Sequence, residues 1–496
     1  MNIKRAKEEI IDTIQSYLLK DEYGEYVIPT VHQRPVLLLG APGIGKTQIM
    51  EQIAEECRIG LVSYTITHHT RQSAIGLPFI VKENYGGREY SVTSYTMSEI
   101  VASVYQKMER TGLKEGILFI DEINCVSETL APAMLRFLQY KSFGNQEIPE
   151  GWIIVAAGNP PEYNKSVHDF DVVTLDRVKK IEVEPQFEVW KEYAYQAGVH
   201  QAVISYLNTK PLHFYKMETT VDGRLFATPR GWEDLSRIIK VYEKLDKQVD
   251  REVVVQYIQH PEIAVDFADY LELSRRYETD YRIDEIMSGN IPDVLIKKLA
   301  HASFDERLGV LGLVTARCMN GFRAFCEQED FLKKLHPVLL EAKAALEGAF
   351  SGQPREYLKD LLAGIREEKE QAKRAELLTR PQEAVYRKVE AFLEETVLDG
   401  RLTEESMPFA VVKSRFEDVN AEYSRLYDEA ALNLERAFDF LEAAFGAGQE
   451  IVLFLTEINM SGDSLRFLGQ YECDRYYRYN ESLLFEERSR EILERF

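Results

Sequence analysis

The first 185 residues predict an α/β fold, a parallel sheet flanked by helices, and residues 186–496 predict an all-α fold. Two observations carry this. Up to Pro185, short apolar runs alternate with amphipathic stretches, as buried parallel strands covered by helices do. Beyond Pro185 the strand-like runs fade, and apolar residues recur every three or four positions.

Taken in order, buried strands are expected at 36–39, 61–65, 117–120, 153–157 and 180–184, with helices at 47–56, 96–111 and 127–140 between them. In the last helix Leu130, Met134, Phe137 and Leu138 recur at i, i+4, i+7 and i+8, which is one face. Two segments interrupt the alternation. Residues 78–95 place Gly86-Gly87 between β-rich flanks, and 141–150 form a shorter pattern ahead of a core strand; both read as hairpins. Residues 186–330 read as several helices and 331–496 as more strongly helical. There Val412, Phe416, Val419, Tyr423, Leu426, Ala430 and Leu434 keep helical spacing, which predicts a bundle core, and the charged run 367–370 predicts a solvated helix face. The apolar run 451–455 is strand-sized. It lies in LFLTEIN (453–459), which echoes LFIDEIN (118–124), and LRFLGQY (465–471) echoes LRFLQY (135–140). The later copy has Thr456 for Asp121, so coincidence explains the echo better than a degenerate duplication.

The 496-residue chain has room for two or three domains, and 45% hydrophobic with 29% charged residues is an ordinary globular mixture. Lys plus Arg number 60 against 82 Asp plus Glu, a net charge of −22. Such a polyanion repels nucleic acid and acidic membrane surfaces unless basic groups are locally concentrated. No apolar run approaches the ~18 residues of a membrane span. The N-terminal stretch carries charges throughout and lacks a signal peptide's apolar segment. Cys57, Cys125, Cys318, Cys326 and Cys473 are scattered without a CxxC, as free thiols of a reducing compartment are. A cytoplasmic protein is expected.

The chemistry is concentrated early. Gly40-Ala41-Pro42-Gly43-Ile44-Gly45-Lys46-Thr47 fits G-x-x-x-x-G-K-[ST], with a strand leading in and a helix, beginning with Thr47 and Gln48, leading out. Small residues let successive backbone N–H groups converge on phosphate oxygens at a helix N-terminus. Lys46 is expected to neutralise the β- and γ-phosphates and the Thr47 hydroxyl to hold Mg²⁺. Further on, an apolar strand ends in Asp121 and Glu122. Asp121 suits the Mg²⁺ shell and Glu122 suits polarising an attacking water. Two acids after a strand also favour a helix dipole without any chemistry, but beside a phosphate loop the chemical reading is preferred. WIIVAAGN (152–159) is a further buried strand ending in Asn159, whose amide sits beside the Asp121 strand in a doubly wound sheet and can help orient water. Asn164-Lys165-Ser166-Val167 lacks the Asp that completes a guanine-reading N-K-x-D motif, which favours ATP over GTP.

Together these features resemble the AAA+ ATPases. The wording RQSAIGLPFI (71–80), FIDEIN (119–124), AAGNPP (156–161), TLDRV (174–178) and ATPRGW (227–232) is similar to the MoxR-type branch, over roughly residues 30–235 and more weakly beyond. The resemblance implies an α/β AAA+ nucleotide-binding domain over 1–185, a helical lid over 186–330 and an all-α C-terminal domain of unknown role over 331–496. Arg177 matches the arginine finger, acting on a neighbouring subunit's site, and Arg230 matches sensor two of the lid, as Asn159 matches sensor one. The two hairpins fall where this branch carries its helix-two insert and its pre-sensor-one hairpin, with Lys141 and Phe143 as candidate tip residues. A ring, expected to be a hexamer, follows from an arginine shared between subunits. The family remodels client proteins or inserts metal or cofactor, commonly beside a separate von Willebrand factor A domain protein. That partner domain's D-x-S-x-S string is absent from this chain.

Other constellations are weaker. His68-His69 has no ligand at metal spacing and reads as a polar loop; Glu457 and Asp463 lack a supporting partner. Tyr476, Tyr477 and Tyr479 with Arg475 and Arg478 read as a packed amphipathic surface rather than a base-stacking platform. The expected function is a Mg²⁺-dependent ATPase acting on protein. The alternative is a nucleotide-gated binding module with little turnover. A DNA-acting motor is disfavoured by charge and by the absence of a GAFTGA loop.

Overall fold

The structure, a computed structural model, describes residues 1–68, 71–143, 146–163, 170–221, 223–347, 353–376, 378–402 and 408–481. It divides into two compact units. The first runs from Met1 to Val189 and includes Thr228–Arg230 and a short stretch from Gln371; the second holds the remainder of the described chain.

The first unit contains α1 (Ile3–Leu18), β1 (Val36–Gly40), α2 (Lys46–Cys57), β2 (Gly60–Thr65), α3 (Arg71–Ile75), β3 (Pro78–Tyr85), β4 (Arg88–Tyr95) and α4 (Glu99–Thr111). Then come β5 (Gly116–Asp121), α5 (Ala131–Tyr140), β6 (Ser142–Phe143), β7 (Gln146–Glu147), β8 (Trp152–Gly158), α6 (Val172–Leu175), β9 (Lys179–Val183) and the start of α7 (Phe187–Gln196). Five strands form one parallel sheet in the order β2-β5-β8-β1-β9. Each expected core strand is present, with ends within one residue of the sequence reading. The reason is burial: β8 is buried at every position and β5 at all but Asp121, so their sequences are continuous apolar runs. On one face Met134, Phe137 and Leu138 of α5 pack under the sheet with Ile100, Val101 and Val104 of α4. Asn2 caps α1 by accepting from the Arg5 backbone N–H at 2.8 Å, and Ala6, Ile10 and Ile14 turn inward.

The hairpin expected at 78–95 is β3 paired with β4, with Phe79, Ile80, Tyr85, Tyr90 and Tyr95 exposed. The second hairpin, β6 with β7, is short. Here the expectation for its tip residues is corrected. Phe143 is buried and stacked on Phe137 with ring centroids 4.1 Å apart, and buried Lys141 donates to Gln33 Oε1 at 3.2 Å. Both side chains anchor the hairpin inward rather than presenting it, because Phe143 completes the apolar face of α5.

The second unit contains α8 (Gln201–Thr209), β10 (Lys216–Thr220), β11 (Gly223–Ala227), α9 (Pro229–Lys244) from Gly231 onward, α10 (Arg251–Tyr257), α11 (Pro261–Asp280), α12 (Ile283–Met287) and α13 (Asp293–Ala300). It continues with α14 (Phe304–Glu347), α15 (Pro354–Arg374), α16 (Arg380–Leu398), α17 (Pro408–Phe445), α18 (Gln449–Asn459) and α19 (Gly462–Leu468). Two cores share α14 and α17. Val310–Cys326 positions of α14 meet Ala430, Leu434 and Phe438 of α17, while Phe331 and Leu335 meet Val411 and Val412, so the two helices run antiparallel. The 412–434 stripe is therefore divided between both cores. The strand-sized run 451–455 lies in a helix, as the helical reading of 331–496 expects: Ile451, Phe454, Leu455 and Ile458 recur at i, i+3, i+4 and i+7 and are buried on one face of α18. The β10–β11 hairpin is an addition to the expected elements; its side chains are largely half-exposed, so it lacks an apolar alternation. Among the described residues no helix is long and apolar enough to cross a membrane.

The remaining constellations resolve structurally. Glu457 accepts from Asn208 Nδ2 at 2.7 Å, and Asp463 lies 3.6 Å from Arg323. Tyr476 donates to Asn459 Oδ1 at 2.6 Å, Tyr479 to Glu442 at 2.9 Å, and Arg475 pairs with Glu435 and Asp439, which makes a packed surface. The His68-His69 and 164–167 readings involve side chains outside the described residues.

Candidate active site

In the sheet order, β5, β8 and β1 are neighbours, and their carboxyl ends deliver Asp121, Asn159 and the 40–47 loop to one crevice. The loop joins β1 to α2. Gly43 and Gly45 have φ of 76° and 93°, a conformation that side chains resist, and a Cβ on Gly43 would meet Thr228 Cβ at 3.2 Å. Ala41 and Ile44 are buried and pin the loop, Pro42 lies within it, and Gln48 sits in the first turn of α2.

Lys46 opens α2, is 8% exposed, and donates to Gly40 O at 2.8 Å, Ala41 O at 2.8 Å and Asn159 Oδ1 at 2.9 Å. These three bonds use its full donor capacity, so a phosphate reaching Lys46 must take over at least one of them. Burial pulls the ammonium down to about 8; Asp121 and Glu122 oppose this and Arg230 adds to it. Protonated Lys46 is the form that meets phosphate. Nucleotide affinity, followed with a fluorescent ATP analogue between pH 7 and 9, is therefore expected to fall as pH rises through about 8. Lys46→Arg should flatten that slope while leaving any change from other groups. For folding the sign is opposite. Between about 8 and the ordinary lysine value of 10.5 the unfolded chain holds the extra proton, so this burial cost shrinks as pH rises.

The Thr47 hydroxyl donates to Asp121 Oδ2 at 3.1 Å. A hydroxyl and a carboxylate side by side are hard oxygen donors and fit Mg²⁺. Glu122 comes next with φ of 57°, in the left-handed region, its N–H donating to Asp121 Oδ1 at 2.9 Å and its carboxylate accepting from Thr67 at 3.0 Å. Asn159 is clamped in both directions: Asn124 Nδ2 donates to its carbonyl at 2.8 Å, and its own N–H donates to Asn124 Oδ1 at 3.3 Å. Gly158 leaves room for this, since a Cβ there would stand 2.6 Å from Asn124 Oδ1. Thr67 and Asn124 are site residues that the sequence reading missed. Asn124 carries a signal, the polar residue closing FIDEIN; Thr67 lies in a polar stretch and carries none.

Arg230, exposed in the first turn of α9, donates its backbone N–H to Gly43 O at 3.2 Å. The structure thus brings Arg230 to the phosphate loop, and its charge is felt by Lys46. Arg177 stands apart. It is exposed on the turn after α6, its N–H donates to Thr174 O at 3.1 Å, and among the described residues no ion pair joins it to Asp176. No cluster of three or more His, Cys, Asp or Glu groups able to hold a metal occurs among the described residues.

No curated protein matches the chain. Among solved structures, a mutant RuvB from Thermotoga maritima is similar over 52% of this chain and 69% of its own, at 15% identity and a TM-score of 0.28, a likeness too slight to bear on function. Residues 35–178 match the family described as AAA domain (dynein-related subfamily). That span begins at the strand leading into the phosphate loop and ends just after Arg177, enclosing Lys46, Asp121, Glu122 and Asn159. The first unit of this chain therefore carries an AAA domain, the nucleotide-binding module of the AAA+ ATPases.

Proposed function

We propose that the chain is a ring-forming, Mg²⁺-dependent ATPase of the MoxR type that remodels a client protein or helps insert its metal or cofactor. The observation that carries the catalytic half is the convergence of Lys46, Thr47, Asp121, Glu122 and Asn159 in one crevice. The loop N–H groups and Lys46 bind the β- and γ-phosphates of ATP, Asn159 and Glu122 orient the attacking water, and Glu122 draws its proton. Mg²⁺, when bound at Thr47 and Asp121, supplies charge neutralisation on the phosphate oxygens.

The assembly half rests on Arg177. An exposed arginine at the edge of the domain is suited to reach the γ-phosphate in a neighbouring copy, and a closed ring, a hexamer in this reading, gives every site such a neighbour. Residues 186–330 then act as the lid, with Arg230 reporting nucleotide state, and 331–496 as a further helical region. The exposed aromatics of β3–β4 suit contact with protein, and a separate von Willebrand factor A domain protein is the proposed partner. Net charge of −22 weighs against a nucleic-acid client, and the scattered free cysteines suit a cytoplasmic protein.

Steady-state phosphate release tests this. Purified protein with ATP and Mg²⁺ is expected to turn over within the ordinary enzyme range, and EDTA or Lys46→Ala is expected to abolish it. Turnover far below that range, with ATP-dependent partner binding intact, would instead favour a nucleotide-gated binding module.

A further inference from the structure

The second unit holds a cavity of about 400 Å³ between α8, α9, α11 and α14, lined by none of the residues assigned to nucleotide. Three arginines and a lysine line it, Arg275, Arg317, Arg323 and Lys240, against two carboxylates, Glu243 and Glu278. Among the lining side chains cations thus outnumber carboxylates, although Asp284 and Asp463 just outside the lining pair with Arg317 and Arg323.

The carboxylates are already engaged. Glu243 accepts from His200 Nε2 at 3.0 Å; His200 Nδ1 accepts from the Ala202 N–H at 3.2 Å, which fixes the ring's proton on Nε2. Glu278 pairs with Arg317 at 3.3 Å, and Arg317 also holds Asp284 at 2.6 Å. Arg323 donates to Tyr195 O at 2.8 Å. Lys240 and Arg275 are different: both are half-buried, and among the described residues neither side chain has a hydrogen bond or a direct ion pair, although the charge of Glu243 reaches both. Burial holds the Lys240 ammonium below its ordinary value and Arg323 adds to the effect, while the Glu243 carboxylate opposes it.

Two further features shape the ligand. Gln201 and Ala202 at the N-terminal end of α8 line the cavity, with His200 already capping the Ala202 N–H. Leu271, Leu313 and Met319 give it an apolar wall. Lys240 and Arg275 share one carboxylate, Glu243, and are in direct contact with none, which leaves positive charge over for an anion. We propose that this cavity binds a phosphate-bearing small molecule, free phosphate or a phosphomonoester of metabolite size, held by Lys240 and Arg275. An ester would lay its organic part on the apolar wall.

Titration calorimetry of the full chain at low salt, with inorganic phosphate, glucose 6-phosphate and glucose as probes, tests this. At least one phosphate probe is expected to bind and glucose is not. Tighter binding of the ester assigns the apolar wall a role; equal binding assigns the site to the phosphate group alone. The double variant Lys240→Gln/Arg275→Gln should weaken binding by roughly tenfold or more, and Lys46→Ala should leave it unchanged. Ser274→Asp, which adds a carboxylate to the wall without removing a cation, should also abolish binding and serves if the double variant fails to fold. Absence of binding by both phosphate probes, binding indifferent to the cavity variants, or binding lost with Lys46→Ala would each overturn the proposal.

Discussion

Arg177→Ala is expected to bind ATP as the parent does while losing turnover by about 10³–10⁵-fold, the range an arginine finger supplies. Among the described residues the Arg177 side chain makes no hydrogen bond or ion pair, and its charge reaches the Asp171 carboxylate. It is exposed on a turn capped by Asp171, which accepts from the Thr174 N–H at 2.8 Å and so fixes the turn that presents it. The phosphate loop, Asp121 and Asn159 hold one another without its help. Removing the guanidinium should therefore leave nucleotide affinity in place. Fluorescent-nucleotide binding and phosphate release, measured on the same preparation, check both halves. Parental turnover in Arg177→Ala would remove the finger from the mechanism, and loss of binding would give Arg177 a different role.

The second large effect is Glu122→Gln. General-base assistance is worth about 10²–10⁴-fold, and turnover is expected to fall by that amount. ATP should stay bound, because Lys46, Thr47 and Asp121 are untouched. The backbone supports an active role for this position. Glu122 adopts a φ of 57°, a conformation costing of order 1–3 kcal/mol for a residue with a side chain, and Thr67 fixes its carboxylate. Gln keeps the shape and the Thr67 contact but cannot take a proton. Hydrolysis by Glu122→Gln at the parental rate would show that another group activates water.

Much of this site is legible in the sequence, for identifiable reasons. The phosphate loop is contiguous, so its glycines, Lys46 and Thr47 declare their geometry in one string. The strands under it are buried on both faces and read as unbroken apolar runs, which is why β1, β5 and β8 lie within a residue of their expected positions. The features that escape a sequence reading depend on contacts between distant segments. Thr67 reaches Glu122 across 55 positions and Asn124 reaches Asn159 across 35, and neither pairing leaves a local pattern. Lys141 and Phe143 mislead because a place in a hairpin suggests exposure, whereas the stacking of Phe143 on Phe137 turns that hairpin's base into core. The cationic cavity is invisible in sequence for the same reason as Thr67: Lys240 and Arg275 lie on separate helices, 35 positions apart.

Whether active sites are shared between copies is decided by mixing two inactive proteins. Lys46→Ala keeps Arg177 but cannot serve its own nucleotide, and Arg177→Ala keeps an intact phosphate loop but offers no finger. Each alone is expected to be inactive. Co-assembled, an Arg177→Ala site beside a Lys46→Ala neighbour is complete, so phosphate release should return in part and rise with the fraction of mixed assemblies. Mixed assemblies verified by differential tagging that release no phosphate above either parent variant would contradict a shared site.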